Sequence, residues 1–218
     1  MLGINFGVAT LLAAAPSATA VAAPTASATS ACTHVGASSR CPWDALHFSC
    51  SPSQLAVEYN ISAYSGVVNC GSLFLESDIG GGINVPPRVS LPAGGAQADK
   101  YYTLIMVDPD ADMNGSFPIA TAPGPHAPVR HWVVGNILGS ELMAGSPFNA
   151  TTVSPFHGPS PPSGSHRYGL FVFYQPDGII NYTALTTPIV NWNYSSFIDT
   201  HSLGTPMYAN WHVTLHSE

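Results

Sequence analysis

The stretch YTLIMVDPDAD (102–112) joins a run of apolar and β-branched residues to three alternating acids. The apolar run predicts a β-strand. Because its apolarity is continuous rather than alternating, we expect this strand to be covered on both faces. The acids that follow are Asp108, Asp110 and Asp112, in a chain that has only 12 acidic residues. The cluster is open to three interpretations: a calcium loop, a catalytic acid pair, or the polar wall of a binding pocket.

Further strands are predicted from similar compositions, with Pro and Gly clusters between them. The clearest are KYYTLIMVD (100–108), RHWVVGNIL (130–138), HRYGLFVFYQ (166–175) and YANWHVTLH (208–216), and shorter runs lie within 65–76. The sequence therefore predicts a mainly β, antiparallel domain with little helix. The one predicted helix lies in NYSSFIDTHSLG (193–204), where Gly204 is at the position expected of a C′ glycine.

The N-terminal region has the pattern of a targeting segment. MLGINFGVATLLAAAPSATA (1–20) is apolar and ends in small residues, with an Ala-x-Ala cleavage signal from Ala18 to Ala20. Its apolar run is short for a transmembrane anchor. We expect a signal peptide over 1–20, a flexible Ala/Ser/Thr-rich leader over 21–42, and a folded domain over 43–218.

Glycosylation and cysteine patterns also indicate an extracellular protein. Asn-x-Ser/Thr sequons, which accept N-linked glycans, begin at Asn60, Asn114, Asn149, Asn181 and Asn193. The four cysteines are Cys32, Cys41, Cys50 and Cys70. An even number in an exported chain favours disulfides, with the pairing left open. No C-x-x-C spacing supports a zinc site, so we expect a secreted, disulfide-bonded glycoprotein.

The charge balance excludes two classes of partner. The chain has 5 Lys and Arg residues and a formal net charge of -7. Nucleic-acid binding and electrostatic docking on anionic membranes both need clustered Lys and Arg side chains. The sequence therefore predicts no nucleic-acid partner and no electrostatic docking on anionic membranes.

Two of the three interpretations of the acidic cluster have little support. A calcium loop needs glycine at its sixth position and a bidentate acid at its twelfth, where this chain has Met113 and Ile119. The chain also contains neither the G-x-S-x-G elbow of hydrolases nor the H-E-x-x-H motif of zinc proteases. We therefore predict no catalytic residue, no metal and no cofactor, and keep a calcium-dependent surface protein as the last alternative.

Polar side chains are concentrated at the ends of the predicted central strands. Asp108 and Asp110 follow one strand, His131 begins the next, and His166 and Arg167 begin a later one. Antiparallel neighbours would bring these ends to one edge of the sheet. Two carboxylates and two imidazoles beside a Pro/Gly-rich loop are typical of a recognition pocket.

Four segments together resemble the phosphatidylethanolamine-binding protein (PEBP) family. They are YTLIMVDPDAD, RHWVVGNI, HGPSPPSGSHRYGLFVFY and SLGTPMYANW, in the family's order, and the resemblance covers roughly residues 45–218. The combination of D-P-D after a strand with G-P-x-P-P and H-R-Y downstream makes it specific. It implies a PEBP-like fold, in which a central antiparallel sheet packs on a smaller sheet with a short C-terminal helical segment. It also implies a pocket for phosphate-like and other small anions.

Carried over position by position, the resemblance implies which residues form that pocket. Its polar wall would be Asp108, Asp110, His131, His166 and Tyr168, and its rim would be Gly158, Pro159, Pro161 and Pro162. Three candidate modifiers of the pocket are Asp112, which replaces a family proline, Arg130, which could offset Asp112 or reach the ligand, and Arg167. We expect Arg167 to pair with Asp108 or Asp110 rather than to contact a ligand.

These observations favour a secreted binding protein rather than an enzyme. The expected ligand is a phosphate-bearing small molecule or a phospholipid headgroup. Some relatives in the family inhibit a serine carboxypeptidase. The alternative function is therefore inhibition of a secreted or vacuolar serine carboxypeptidase or of another serine protease.

Overall fold

The structure, a computed structural model, describes residues 55–61, 63–79, 84–111 and 127–216. Its elements in chain order are β1 (Ala56–Asn60), β2 (Ser65–Val67), β3 (Ser72–Leu75), α1 (Glu76–Ile79), β4 (Arg88–Ser90), β5 (Tyr101–Asp108), β6 (Val129–Leu138), α2 (Gly139–Ala144), β7 (Thr151–Ser154), β8 (Ser165–Tyr174), α3 (Tyr194–Thr200) and β9 (Tyr208–Leu215). Six strands form a sheet in the order β3-β9-β8-β5-β6-β7, and three form a smaller sheet in the order β2-β1-β4.

The central strands of the large sheet are buried on both faces, as their continuous apolarity predicts. On one face, Leu104 and Leu170 share a core with Val57 of the smaller sheet. On the opposite face, Phe171 belongs to a second core that includes Phe197 of α3. β5 and β8 therefore form the middle layer of the molecule, and their ends fix the positions of the polar side chains.

The predicted fold class is confirmed: the protein is mainly β, with a large sheet packed on a smaller one and a short helix near the C-terminus. Two details differ from the sequence prediction. β3 pairs with β9 in parallel, because the chain enters the large sheet from the small one rather than through a hairpin. The described residues also contain two helices besides α3, namely α1 and α2, each too short to show a helical period in the sequence.

The end of α3 also differs, and the prediction of Gly204 as its C′ residue is wrong. The helix ends at Thr200, and the left-handed residue after it is Ser202, with φ 53°. The Leu203 N–H donates to the Ile198 carbonyl at 3.0 Å, and both side chains are buried. This is a Schellman motif with its apolar contact, formed by serine where glycine is more usual.

Several sequence predictions concern residues outside the described ranges. Residues 1–54 are among them, so the signal peptide, the leader and the start of the folded domain stay predictions. None of the described helices is long and apolar enough to cross a membrane.

Candidate functional site

One edge of the large sheet gathers most of the acids and histidines that the sequence singles out. The C-terminal end of β5 lies between the N-terminal ends of β6 and β8, since Asp108 pairs with Val129 and Val107 pairs with Gly169. The polar residues that flank these three strand ends therefore meet at one place. We call Asp108, His131, His166 and Tyr168 the polar site.

His166 and Asp108 form a buried pair at the centre of the polar site. His166 Nδ1 lies 2.8 Å from Asp108 Oδ2, and the two side chains are 4% and 3% exposed. The other carboxylate oxygen, Oδ1, accepts from the Asp110 N–H at 2.7 Å. Asp108 thus holds the imidazole in one orientation and shapes the turn that follows β5.

Asp110 binds Arg167, which is one of the two pairings expected from the sequence. The guanidinium donates to both carboxylate oxygens, from Nε to Oδ2 and from Nη2 to Oδ1, each at 2.7 Å. The Arg167 N–H donates to Oδ2 at 2.9 Å. Burial alone would lower the pKa of Arg167, but the hydrogen bonds and charge of Asp110 raise it overall. This bidentate pair fixes the acidic turn on β8, which leaves Asp108 as the acid nearer the histidines.

His131 reaches the polar site because β6 has a β-bulge. Met106 pairs with Trp132 and the next residue, Val107, pairs with Arg130, so His131 is the extra residue. A bulge changes the direction of the side chains near it. Here the His131 ring packs edge-on against the Tyr168 ring, with centroids 5.0 Å apart. In a regular strand His131 and Trp132 would point to opposite faces of the sheet.

The hydrogen bonds of His131 define its tautomer. Its Nδ1 lies 2.8 Å from the His157 carbonyl oxygen, so Nδ1 must carry the proton. Burial lowers the pKa of His131, and the nearby charge of Asp108 opposes this shift only in part. The neutral ring therefore presents Nε2 as a lone pair, and that nitrogen becomes a donor only when His131 takes up a proton.

The predicted rim, residues 158–162, lies beside the polar site and is held to it. The Ser160 N–H donates to the Tyr168 hydroxyl at 3.2 Å, and His216 Nδ1 lies 3.0 Å from the Pro161 carbonyl oxygen. Gly158, Pro159 and Pro161 are buried, whereas Pro162 is exposed. Burial raises the pKa of Tyr168 well above its ordinary value, so its hydroxyl keeps its proton.

His212 is a member of this region that no sequence motif singles out. It is 0% exposed and stacks on Tyr168, with ring centroids 5.4 Å apart. Burial lowers its pKa to about 3, so the ring is neutral at physiological pH. The sequence shows only that its strand alternates polar and apolar residues. The position of His212 beside Tyr168 depends on the pairing of β8 with β9, which the sequence does not reveal.

Arg130 does not lie in the polar site, so the proposal that it reaches the ligand there is wrong. Its Nε donates to Ser154 Oγ at 2.9 Å, its Nη2 donates to the Thr186 carbonyl, and its guanidinium carbon lies 5.7 Å from the ring centre of Trp192. Trp192 belongs to the core on the opposite face of the sheet. The bulge explains the difference, because it brings His131 to the same face as Trp132, so that Arg130, the residue before His131, points to the opposite face.

Other predicted residues are placed as follows. Asp112 and Asn114 lie outside the described ranges, as do the first three cysteines, and Cys70 is not a free thiol. The four described sequon asparagines are exposed: Asn60, Asn149, Asn181 and Asn193. Among the described residues there is no group of three or more His, Cys, Asp or Glu side chains that could hold a metal ion.

Comparisons with known proteins extend these observations. A 26 kDa secreted antigen of Toxocara canis is 32% identical over 159 residues, which cover 66% of this chain and 51% of the antigen. A putative odorant-binding protein A5 of Drosophila melanogaster is 34% identical over 84 residues, which cover 38% of this chain and 34% of that protein. The chain therefore spans about half of the first relative's length and about a third of the second's.

A solved structure agrees with the fold. It is a carboxypeptidase Y inhibitor complexed with its cognate proteinase, with a TM-score of 0.56 over 76% of this chain and 84% of that one. At 20% identity, this likeness bears on the fold alone.

The family model described as phosphatidylethanolamine-binding protein matches residues 65–212. This range is well over half of the chain and contains all four residues of the polar site. The chain therefore belongs to the phosphatidylethanolamine-binding protein family.

Proposed function

We propose that this protein binds a phosphate-bearing small molecule or a phospholipid headgroup at the polar site. The observation that carries the proposal is the buried His166–Asp108 pair, with His131 turned toward the same place by the bulge in β6. Buried titratable groups that meet at one edge of a sheet, under a Pro/Gly-rich rim, are typical of a binding site.

The imidazoles supply the donors that a phosphate needs. Asp108 accepts a hydrogen bond from His166 Nδ1, and the His157 carbonyl accepts one from His131 Nδ1. The second polar atom of an imidazole is Nε2, and a protonated Nε2 of His131 donates to a phosphate oxygen. The loop that leads into β8 adds one side-chain hydroxyl near the rim, since Ser163 Oγ is buried and has no hydrogen-bond partner among the described residues.

Replacing His131 by alanine is expected to weaken binding of glycerophosphoethanolamine and of inorganic phosphate by about tenfold or more at pH 6. A hydrogen bond to a charged group contributes about 1.5–3 kcal/mol, and 1.4 kcal/mol corresponds to a factor of ten. Isothermal titration calorimetry measures both ligands. The matched control is His201→Ala, because His201 packs against Phe197 of α3 on the other side of the sheet. Equal affinities for wild type and His131→Ala would reject the proposal.

The same titrations should depend on pH in a defined direction. Because burial lowers the pKa of His131, its Nε2 is a lone pair in the free protein at pH 7 and repels a phosphate oxygen. A bound phosphate stabilises the protonated ring, so binding takes up a proton and tightens as the pH falls from 7.5 to 5.5. His131→Ala should lose this dependence in large part. A stronger affinity for phosphate monoanions at higher pH would contradict the role of His131.

A catalytic role for the two acids is disfavoured because both carboxylates already have partners. Asp108 is engaged by His166 and by the Asp110 N–H, and Asp110 is engaged by Arg167. These contacts leave neither carboxylate positioned as a general base. They also argue against calcium, which would compete with a guanidinium for Asp110.

Secretion is the second part of the proposal. It is supported by the apolar N-terminus, by the exposure of all four described sequon asparagines, and by the secreted antigen among the relatives. Expression in a secreting eukaryotic cell tests it: the protein should appear in the medium and lose mass on treatment with an N-glycosidase. Retention inside the cell without glycans would contradict it.

Inhibition of a serine carboxypeptidase is the second candidate function. The observation that favours it is the fold shared with the carboxypeptidase Y inhibitor. Purified protein is added in stoichiometric excess to a serine carboxypeptidase, and hydrolysis of a peptide substrate is followed. Unchanged hydrolysis would remove this candidate and leave the binding proposal intact.

A further inference from the structure

A concave surface opens between the two sheets, next to the polar site. Its volume is about 710 Å³, within the range of roughly 300–1,000 Å³ found for small-molecule sites. Trp132, Val134 and Phe156 form its inner wall, and Pro147 and Phe148 form one side. We call this surface the groove.

The wall of the groove is mainly apolar and is built from well-packed side chains. Trp132 and Phe156 are 7% and 8% exposed, and their rings meet edge to face at 5.6 Å. Val134 is 5% exposed. A ligand that covered the remaining exposed parts would bury apolar surface against a preformed wall, which favours binding.

Arg88 provides the one charged side chain in this lining. Its guanidinium is held by the Ala144 carbonyl, which accepts from Nη2 at 2.5 Å, and it lies against Gly145, where a Cβ would fall 2.5 Å from Nη2. No carboxylate of the described residues forms an ion pair with it. Arg88 therefore has a defined position and no ion pair with a described acid, although Glu58 is its cross-strand neighbour in the small sheet.

The other described cations are each engaged within the fold. Lys100 pairs with Asp99 and Arg167 pairs with Asp110, and Arg130 is buried and hydrogen-bonded to Ser154. The whole chain has 5 Lys and Arg residues and a formal charge of -7. An anion therefore gains nothing from the overall field of the protein, and Arg88 is the local feature that would attract one to the groove.

We infer that the groove binds a small amphipathic acid, with its apolar body against Trp132, Phe148 and Phe156 and its anionic group at Arg88. This ligand and the phosphate-bearing ligand of the polar site occupy different places. His131, Asp108, His166 and Tyr168 do not line the groove, and its nearest approach to the polar site is through Trp132 and His157. The inference does not depend on the proposed function of the polar site.

Decanoate is the probe for this inference, measured by calorimetry below its micellar concentration. Decanoate should bind wild-type protein at least tenfold more tightly than decan-1-ol, which has the same chain without the charge. Arg88→Gln should remove most of this difference, and Arg88→Lys should retain a large part of it. The comparison of decanoate with decan-1-ol uses wild-type protein alone, so it stays decisive even if an Arg88 variant does not fold.

Two further measurements locate the bound decanoate. Phe148→Ala should weaken binding of both decanoate and decan-1-ol severalfold, because it removes part of the apolar wall. His131→Ala should change decanoate affinity less than twofold, and inorganic phosphate should not displace decanoate. Absence of decanoate binding, or equal binding of decan-1-ol, would overturn the inference. Loss of decanoate binding in His131→Ala would also overturn it, by placing the ligand in the polar site.

Discussion

Replacing Asp110 by alanine is expected to lower the free energy of unfolding by about 3–5 kcal/mol. Asp110 is 4% exposed and accepts three hydrogen bonds from Arg167, whose side chain is 23% exposed. Without the carboxylate, a largely buried guanidinium loses its hydrogen-bonded ion-pair partner, and breaking buried pairs in this way costs about that much. Urea denaturation followed by tryptophan fluorescence measures the change.

Two further variants test whether the loss comes from the unpaired guanidinium. Asp99→Ala removes another acid from an ion pair with a cation, but this pair is exposed, with the carboxylate 80% exposed and an N–O distance of 3.7 Å. It should cost less than about 1 kcal/mol. The double variant Asp110→Ala/Arg167→Met should recover a large part of the stability, since an apolar replacement leaves no buried charge. If the double variant is as unstable as Asp110→Ala, the charge is not the cause.

Acidification from pH 7.5 to 5 is expected to destabilise the fold by about 2 kcal/mol through His212 alone. Burial lowers the pKa of His212 from 6.5 to about 3, whereas the unfolded chain binds the proton near pH 6.5. Between these two values the unfolded state holds more protons than the folded state. Stability is therefore fully present above pH 6.5 and is lost as the pH falls toward 3.

His212→Phe should remove this component, because phenylalanine has no proton to gain. The variant also deprives the Tyr59 hydroxyl of a partner 3.3 Å away, but that cost is the same at both pH values and cancels in the difference. Chemical denaturation of both proteins at pH 7.5 and pH 5 gives the comparison. His201→Phe is the control. Burial also lowers the pKa of His201, but this side chain is only half-buried, so the variant should lose a smaller part of the pH dependence than His212→Phe. An unchanged pH dependence in His212→Phe would show that His212 is not the group that senses acid.

The middle layer of the fold could be predicted from the sequence because its strands are apolar without interruption. β5 and β8 are buried on both faces, and a strand of that kind must lie inside a sheet that is covered twice. Because β5 and β8 are antiparallel neighbours, the C-terminal end of β5 and the N-terminal end of β8 lie at the same edge of the sheet. Asp108 and His166 are at these two ends and therefore meet.

Other features could not be predicted because they depend on contacts distant in sequence. β1 and β4 are short and gain their stability from packing against the large sheet. The neutral state of His212 results from the rings of Tyr59 and Tyr168 around it, which belong to other strands. The left-handed residue after α3 is Ser202 rather than the expected Gly204. Leu203 is buried in the core, and this contact determines where the helix ends.

The bulge in β6 has one more consequence, for how the two surfaces communicate. By turning His131 and Trp132 to the same face, it makes these two consecutive residues the partition between the polar site and the groove. A ligand that displaces the Trp132 ring acts on a side chain one peptide bond from the imidazole that would hold a phosphate. Deleting Arg130, so that the ladder becomes regular, would turn His131 to the opposite face of the sheet and remove it from the polar site, while Trp132 would stay in the wall of the groove.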